Sequence, residues 1–437
     1  MAQTSILAMI MAGGKGERLH PLTSERAKPA VTFGGKYRII DFVLSNFVNS
    51  GITSLYVLTQ FKAQSLLNHL RDGWQFGTLL EDHFIIPVPA QMRMGEEWYR
   101  GTADAVWQNI VFVERHQPEI VAVFGADHIY RMDVRQMVEF HRTKGAEATV
   151  AALPVPRDQA SHFGVIQVDE DWRITGFHEK PSPKEAVPIP NQPEMILSSM
   201  GNYLFNTDVM LEELAADAED PDSDHDFGNT ILPKIFPSRR LYAYDFRSNQ
   251  VPGRVKGEET GYWRDIGTLS AYWQANMDLC TPDPIFNLYN RNWPLRTANY
   301  NDPPAKFVYD EEGRRGQAVN SIVSEGCVLS GAHVSGSVLG RNVVVHSYSS
   351  VEESVIFGNV DIGRGCQIRR AIIDKNVHIP PGTKIGLDPA WDKERFFVDE
   401  DHQITVVPRW ETFEREEAVA RGVEARKRIK TLTEETD

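Results

Sequence analysis

The spacing of apolar positions changes character along the chain. From Ile6 to Met11 they are continuous (ILAMIM) and run into Gly13, Gly14 and Gly16, the pattern of a buried parallel strand that empties into a tight loop. Short β-branched or aromatic runs recur at Ser54–Thr59 and Ile120–Phe124, and Ala63–Leu70 and Val134–Thr143 carry helical spacing between and after them. Alternation of this kind predicts a parallel sheet covered by helices on both faces, in which ligands sit beyond the carboxyl ends of the strands. The loops after Met11 and Phe124 are therefore the places to look for a site. Further strands are predicted over Thr149–Leu153, Gly164–Val168 and Arg173–Glu179, and a surface loop over Pro181–Pro193. A helix is expected from Leu211 into an acidic run, and another is opened by Gly267 and Thr268.

After an Asn-, Pro- and aromatic-rich stretch over 283–304, the period becomes six. One apolar position per rung gives Ile322, Val328, Val334, then Leu339, Val345, Val351, then Ile356, Ile362, Ile368, then Ile373, Ile379, Ile385, each triplet starting seventeen residues after the last. This hexapeptide repeat predicts a parallel β-helix with three short faces per coil and the marked aliphatics pointing inward. Charge pairing over Glu411–Lys427 predicts a helical tail that caps the stack or lies on its surface. The expected division is 1–285, a linker over 286–315, and 316–437.

Composition narrows the class. A chain of 437 residues exceeds one ordinary core, and 41% hydrophobic with 24% charged residues is soluble globular composition. No run of eighteen apolar residues predicts a membrane span, and the first residues lack the basic region of a secretion signal. The three cysteines Cys280, Cys327 and Cys366 are too few and too scattered for a disulfide framework or a zinc site, so a reducing cytoplasm is expected. A net charge of -14 argues against nonspecific binding to nucleic acid or an anionic membrane. A small phosphorylated ligand needs only local cations.

Those cations stand in the first loop. Glycines let the backbone approach an anion, and Lys15, Arg18 and Lys28 add the charge that a triphosphate requires; a plain glycine turn is the other reading, since neither GxxxxGK[ST] nor GxGxxG is present. Asp127 follows an apolar strand, where a carboxylate can hold Mg²⁺ against substrate phosphates or else cap the next helix. Asp265, just before Gly267, carries the same two readings. Lys180 ends another strand and can hold a monoester phosphate, with Glu179 accepting a sugar hydroxyl, or it is ordinary turn chemistry. Glycine and small residues over Trp98–Ala105 suit a base or sugar lying against backbone. No HExxH, CxxC or GxSxG arrangement supports a covalent nucleophile. An anionic cradle, two distant aspartates and a further lysine together suit phosphoryl or nucleotidyl transfer, which runs on positioning and charge neutralisation.

The segments AGGKGERLHPLTSERAKPAVTFGGKYRIIDFVLSN, WYRGTADAV, GADHIYRMD, FHEKP, SSMGNYLF, HDFGNTILP and GYWRDIGTLSAYWQANMDL resemble, in order, the motifs of the bacterial glucose-1-phosphate adenylyltransferases (ADP-glucose pyrophosphorylases), over about residues 5–395. The resemblance implies a Rossmann-like, GT-A-like nucleotidyltransferase domain with a mixed sheet, followed by a left-handed parallel β-helix. It implies ATP and α-D-glucose 1-phosphate as substrates, Mg²⁺ as cofactor, a homotetramer and a role in supplying the glucosyl donor for glycogen or starch. By the same resemblance Gly13, Gly14, Gly16 and Arg18 meet the nucleotide, Arg18 and Lys28 neutralise its phosphates, and Asp127 and Asp265 hold the metal. Lys180 takes the sugar phosphate, while Tyr99, Gly164, Glu179 and Ser199 line the sugar pocket. Effectors are expected between the domains at Arg26, Lys36 and Arg38, with Arg115 matching a position tied to AMP inhibition. Glu25 stands where enteric members have a lysine that responds to fructose 1,6-bisphosphate, so fructose 6-phosphate or pyruvate becomes the expected activator. Uridylyl or thymidylyl transfer, a noncatalytic regulatory subunit and a β-helix acyltransferase are the rival readings.

Overall fold

The computed structural model describes residues 5–75, 83–91, 97–190, 192–254, 260–311, 313–409 and 411. Most of the tail expected to be helical, over 411–427, lies outside them. The amino-terminal part is built on a nine-stranded sheet. Its main path runs Ile174–Glu179, Gly164–Val168, Met195–Asn206, Ile120–Gly125, Ile6–Met11, Ser54–Thr59, Phe84–Pro89. Ile6–Met11 pairs in parallel with both neighbours, as its apolar composition predicts, because it is covered on both faces. Leu7 and Met9 point into one apolar core and Ala8 and Ile10 into the other.

Beyond Ile120–Gly125 the sheet becomes mixed, although Leu241–Asp245 still runs parallel to Ala148–Pro156. Met195–Asn206 runs antiparallel to Ile120–Gly125 and to Ala148–Pro156, and Gly164–Val168 forms a hairpin with Ile174–Glu179. The parallel sheet read from the first alternation of elements holds for Ile6–Met11, Ser54–Thr59, Phe84–Pro89 and Ile120–Gly125, and the sheet as a whole is the mixed one that the family resemblance implied. The helix expected from Leu211 begins at Thr207 and ends at Ala218, before most of the acidic run. Among the described residues no helix is long and apolar enough to cross a membrane.

Past residue 305, short parallel strands stack into three sheets that form the faces of a β-helix, one of them running Ile322–Val323, Val338–Leu339, Val355–Ile356, Ala371–Ile373, Ile404–Val407. Ile379, Ile362 and Val345 stack inward, as do Ile385, Ile368, Val351 and Val334. The first coil departs from the seventeen-residue repeat. Ile322 pairs with Val338 and Val328 with Val344, a step of sixteen, so Val323 and Leu329 take the inward places read for Ile322 and Val328. Because side chains alternate across a strand, that single residue reverses the facing, and Ile322 turns out toward the catalytic part. At one corner Asn342, Asn359 and Asn376 all adopt positive φ, and Asn359 donates to Asn376 at 3.1 Å.

The outer face of that sheet is also apolar. Val338, Val355, Ile372 and Val406 join one buried cluster with Leu19, Val31, Phe33, Tyr272 and Trp273, so the two parts share a core rather than hanging on a linker. Trp273 Nε1 donates to the Glu353 carbonyl at 2.8 Å across the same junction. Cys280, Cys327 and Cys366 are buried free thiols.

Candidate active site

Strand register brings the two loops together. Met11 lies opposite Gly125, so the glycine loop and the segment carrying Asp127 leave adjacent strands side by side. Gly16 has φ +64° and would put a Cβ 2.9 Å from Lys28 Cβ, which makes glycine obligatory on both counts and lays the loop directly on the lysine stem. Arg18, in a single 3₁₀ turn over Glu17–Leu19, is 62% exposed, with Nη2 3.9 Å from Asp265 Oδ2. Lys28 is buried to its tip, where Nζ donates to Asp127 Oδ2 at 3.0 Å and to Asp265 Oδ1 at 3.2 Å.

The aspartates meet because their segments pair. His128–Tyr130 and Trp263–Asp265 form an antiparallel ribbon with Asp265 opposite His128. Helix capping, the rival reading for both, falls away: Asp133 accepts from Arg135 N at the next helix, and Thr268 accepts from Ala271 N at the helix after Asp265. His128 belongs to the same group, with Nε2 3.4 Å from Asp127 Oδ1 and its ring against Trp263 at 4.9 Å. Its Nδ1 is buried and finds no hydrogen-bond partner among the described residues. One ligand atom from each of Asp127, His128 and Asp265 lies within 4.8 Å of the others, a donor set that fits a divalent cation shared with phosphate oxygens.

Electrostatics follow the geometry. Burial pushes the Asp127 carboxyl up, but the His128 imidazole and the Lys28 ammonium outweigh it and hold it well below the usual carboxylate range. For Lys28 burial acts downward, and the two carboxylates more than reverse it. The centre is thus charged and internally neutralised.

Arg18, Lys28, Asp127 and His128 line a cleft of about 780 Å³ with Gly13, Gly14, Gln60, Tyr99, Thr102, Tyr203 and Asp226 among its walls. Tyr99 is fixed from both sides, its N–H donating to Gln60 Oε1 at 2.9 Å and its hydroxyl accepting from Asn109 at 2.8 Å. Gly164, Glu179, Lys180 and Ser199 are not among the residues lining this cleft. Gly164 faces Glu179 across the hairpin, and a Cβ there would come within 2.7 Å of Glu179 Oε2. Lys180 has φ +46° and turns back to Glu179, Nζ to Oε1 at 2.8 Å. The sequence reading missed Gln60, His128 and Asp226. Gln60 follows a parallel strand, the position rule that found the other two loops. Asp226 accepts from Gly228 N, Asn229 N and Thr102 Oγ1, at the start of a π-helical turn over Phe227–Ile231. The two backbone bonds are local, and only the one from Thr102, 124 positions away, ties it to the rest of the cleft.

The expected effector residues lie elsewhere. Arg26 is sealed between the two parts, its Nη2 donating to both carboxylate oxygens of Asp374 at 2.9 and 2.7 Å. Lys36 donates to Glu325 of the β-helix at 2.8 Å, and Arg38 donates to Ser65 Oγ at 2.8 Å. Arg115 is exposed on the helix Ile110–His116, away from the cleft lining.

A mixed sheet with a glycine loop, a carboxylate pair and a deep cleft, docked on a β-helix, defines a nucleotidyltransferase. In agreement, the profile described as nucleotidyl transferase matches residues 7–281, and one described as GlmU-like, C-terminal hexapeptide matches residues 303–407. The chain is 53% identical over 92% of its length, and 98% of theirs, to the glucose-1-phosphate adenylyltransferase of Anaeromyxobacter sp. (strain Fw109-5). It is 55% identical to that of Thermus thermophilus and 51% to that of Deinococcus radiodurans, over 94% and 93% of its length and 99% of each relative. The chain belongs to the glucose-1-phosphate adenylyltransferase family.

Proposed function

We infer that this protein transfers the adenylyl group of ATP to α-D-glucose 1-phosphate, giving ADP-glucose and diphosphate. The observation that carries the reading is the convergence of the glycine loop, Arg18, Lys28 and Asp127 on one cleft, with Asp265 joined to Lys28 and Arg18 beside it. A phosphate oxygen of the sugar phosphate forms a bond to the α-phosphorus as the bond from that phosphorus to the bridging oxygen of diphosphate breaks, and the departing negative charge leaves with diphosphate. Backbone N–H groups at Gly13, Gly14 and Gly16 with Arg18 and Lys28 orient the phosphates and disperse that charge. Asp127 and Asp265 would hold Mg²⁺, which supplies further neutralisation when bound. At the other end Lys180 takes the sugar phosphate, and Tyr99, Gly164, Glu179 and Ser199 shape the glucose pocket.

Regulation belongs to the junction. Residues 1–285 form the catalytic unit, 286–315 the connection and 316–437 the regulatory and oligomerisation unit of a cytoplasmic homotetramer. Anionic effectors, fructose 6-phosphate or pyruvate as activator and AMP as inhibitor, act through Arg26, Lys36, Arg38 and Arg115. Supporting this is the charge at the junction: burial and the neighbouring Arg26, Arg38 and Arg409 push the Lys375 ammonium down to about 8. The test is diphosphate release from ATP and glucose 1-phosphate, with UTP and dTTP at equal concentration as the alternative donors and the two activators added in turn. A faster rate with UTP or dTTP overturns the adenylyl reading, and no rate with any of them overturns transfer.

A further inference from the structure

The cation already inside the carboxylate pair is a lysine. Lys28 Nζ sits 3.0 Å from Asp127 Oδ2 and 3.2 Å from Asp265 Oδ1, and its side chain is only 8% exposed against 40% and 20% for its partners. The same two carboxylates are the ones that would hold a divalent ion with His128, and Mg²⁺ takes carboxylate ligands at about 2.0–2.1 Å, so the ammonium and the ion draw on the same two groups. An ammonium already paired with both carboxylates and a dication drawn to them compete for the same negative charge. The lysine is held there by the fold: its stem lies under Gly16, and it opens a 3₁₀ turn with Pro29 that fixes the backbone.

We propose that in the nucleotide-free protein Lys28 stands in the place of the divalent ion and competes with it for Asp127 and Asp265, leaving when a triphosphate on the glycine loop offers the ammonium other oxygens. The stand-in keeps two carboxylates from repelling one another in the empty cleft and keeps them in the geometry the ion requires. It also makes free metal bind weakly, so that the ion enters together with the nucleotide. This rests on reading the cleft as a metal-dependent transfer site, but its test uses neither substrate nor turnover.

The experiment is Mn²⁺ binding to the full-length protein without nucleotide, followed by the electron paramagnetic resonance of free Mn²⁺. Wild type is expected to bind weakly, Lys28→Met at least about tenfold more tightly, and Lys28→Met/Asp127→Asn no better than wild type. Circular dichroism checks the fold of each variant. Should Lys28→Met not fold, Lys28→Gln, whose amide still donates to one carboxylate, carries the same expectation. Equal or weaker Mn²⁺ binding by the folded neutral variant overturns the stand-in role. So does tight binding by wild type alone, a measurement that needs no variant. Failure of adenylyl transfer itself would appear in the diphosphate assay and leave these results unchanged.

Discussion

Arg26 and Lys28 are two positions apart in one short segment, both cations, both buried, both held by aspartates from far along the chain. Their settings are opposite. Arg26 and Asp374 are 2% and 1% exposed, sealed between the catalytic part and the β-helix with Phe357 near the guanidinium. Lys28 ends at an open cleft, where its partner Asp127 is 40% exposed. A sealed pair that gains little over an apolar contact, yet costs heavily when one half is removed, acts as a fastener; a pair at a water-filled mouth can exchange partners when a ligand arrives. One segment therefore ties domain docking to the phosphate site.

Breaking each pair separately should give opposite phenotypes. Asp127→Ala is expected to lower kcat by about a thousandfold or more while the melting temperature stays near that of wild type, read by diphosphate release and calorimetry. Retained full rate would remove Asp127 from the reacting centre. Asp374→Ala leaves a guanidinium uncompensated in the junction and should cost about 3–5 kcal/mol of stability, with kcat at saturating substrate changed far less. Converting both partners to apolar residues, Arg26→Met/Asp374→Leu, should recover most of that loss. A double variant as unstable as the single one would mean that the pair does more than fasten.

A third pair sharpens the contrast because it is exposed. Lys180 is 59% exposed beside Glu179, so breaking it should leave stability unchanged. If the lysine holds the sugar phosphate, Lys180→Ala should raise the KM for glucose 1-phosphate about tenfold to a hundredfold and move that for ATP by less than about threefold. Equal effects on both substrates would reject the assignment.

How much of this was legible in the sequence depends on how local the determinant is. Ile6–Met11 and Val134–Thr143 have the bounds that their apolar spacing predicts, because burial of one stripe or both faces is written into consecutive residues. Asp127 was legible as a candidate from its place after an apolar strand and Asp265 from its place before the helix opened by Gly267 and Thr268, but the strand pairing that joins them spans most of the catalytic part and has no local signature. Nothing in RAKP itself says which cation meets Asp374 and which meets the cleft; only the family resemblance sent Lys28 to the phosphates and Arg26 to the region between the domains. The β-helix was read correctly in its later coils, where the repeat is strict. It slipped at Ile322 and Val328, because a coil one residue shorter keeps aliphatics at both the inward and the outward place. On that sheet the outward place is buried too.

The smallest expected effect concerns the junction and follows from its excess of cations. Burial first, and next Arg26, Arg38 and Arg409, push the Lys375 ammonium down from the usual 10.5 to about 8. A lysine depressed in the folded state carries a cost that is fully present below pH 8 and is relieved as pH rises from there toward the unfolded value, so without an anion this group makes stability increase with pH across that window. An anion seated among these cations favours the charged lysine and flattens the slope. Its affinity should accordingly fall as pH rises above 8, by at most about tenfold per pH unit for one proton. Titrating wild type with inorganic phosphate at pH 7.5 and 9, beside Lys375→Met, tests this. A pH dependence that survives in Lys375→Met would place the titrating group elsewhere, and would cut the link between the fastened junction and anion control.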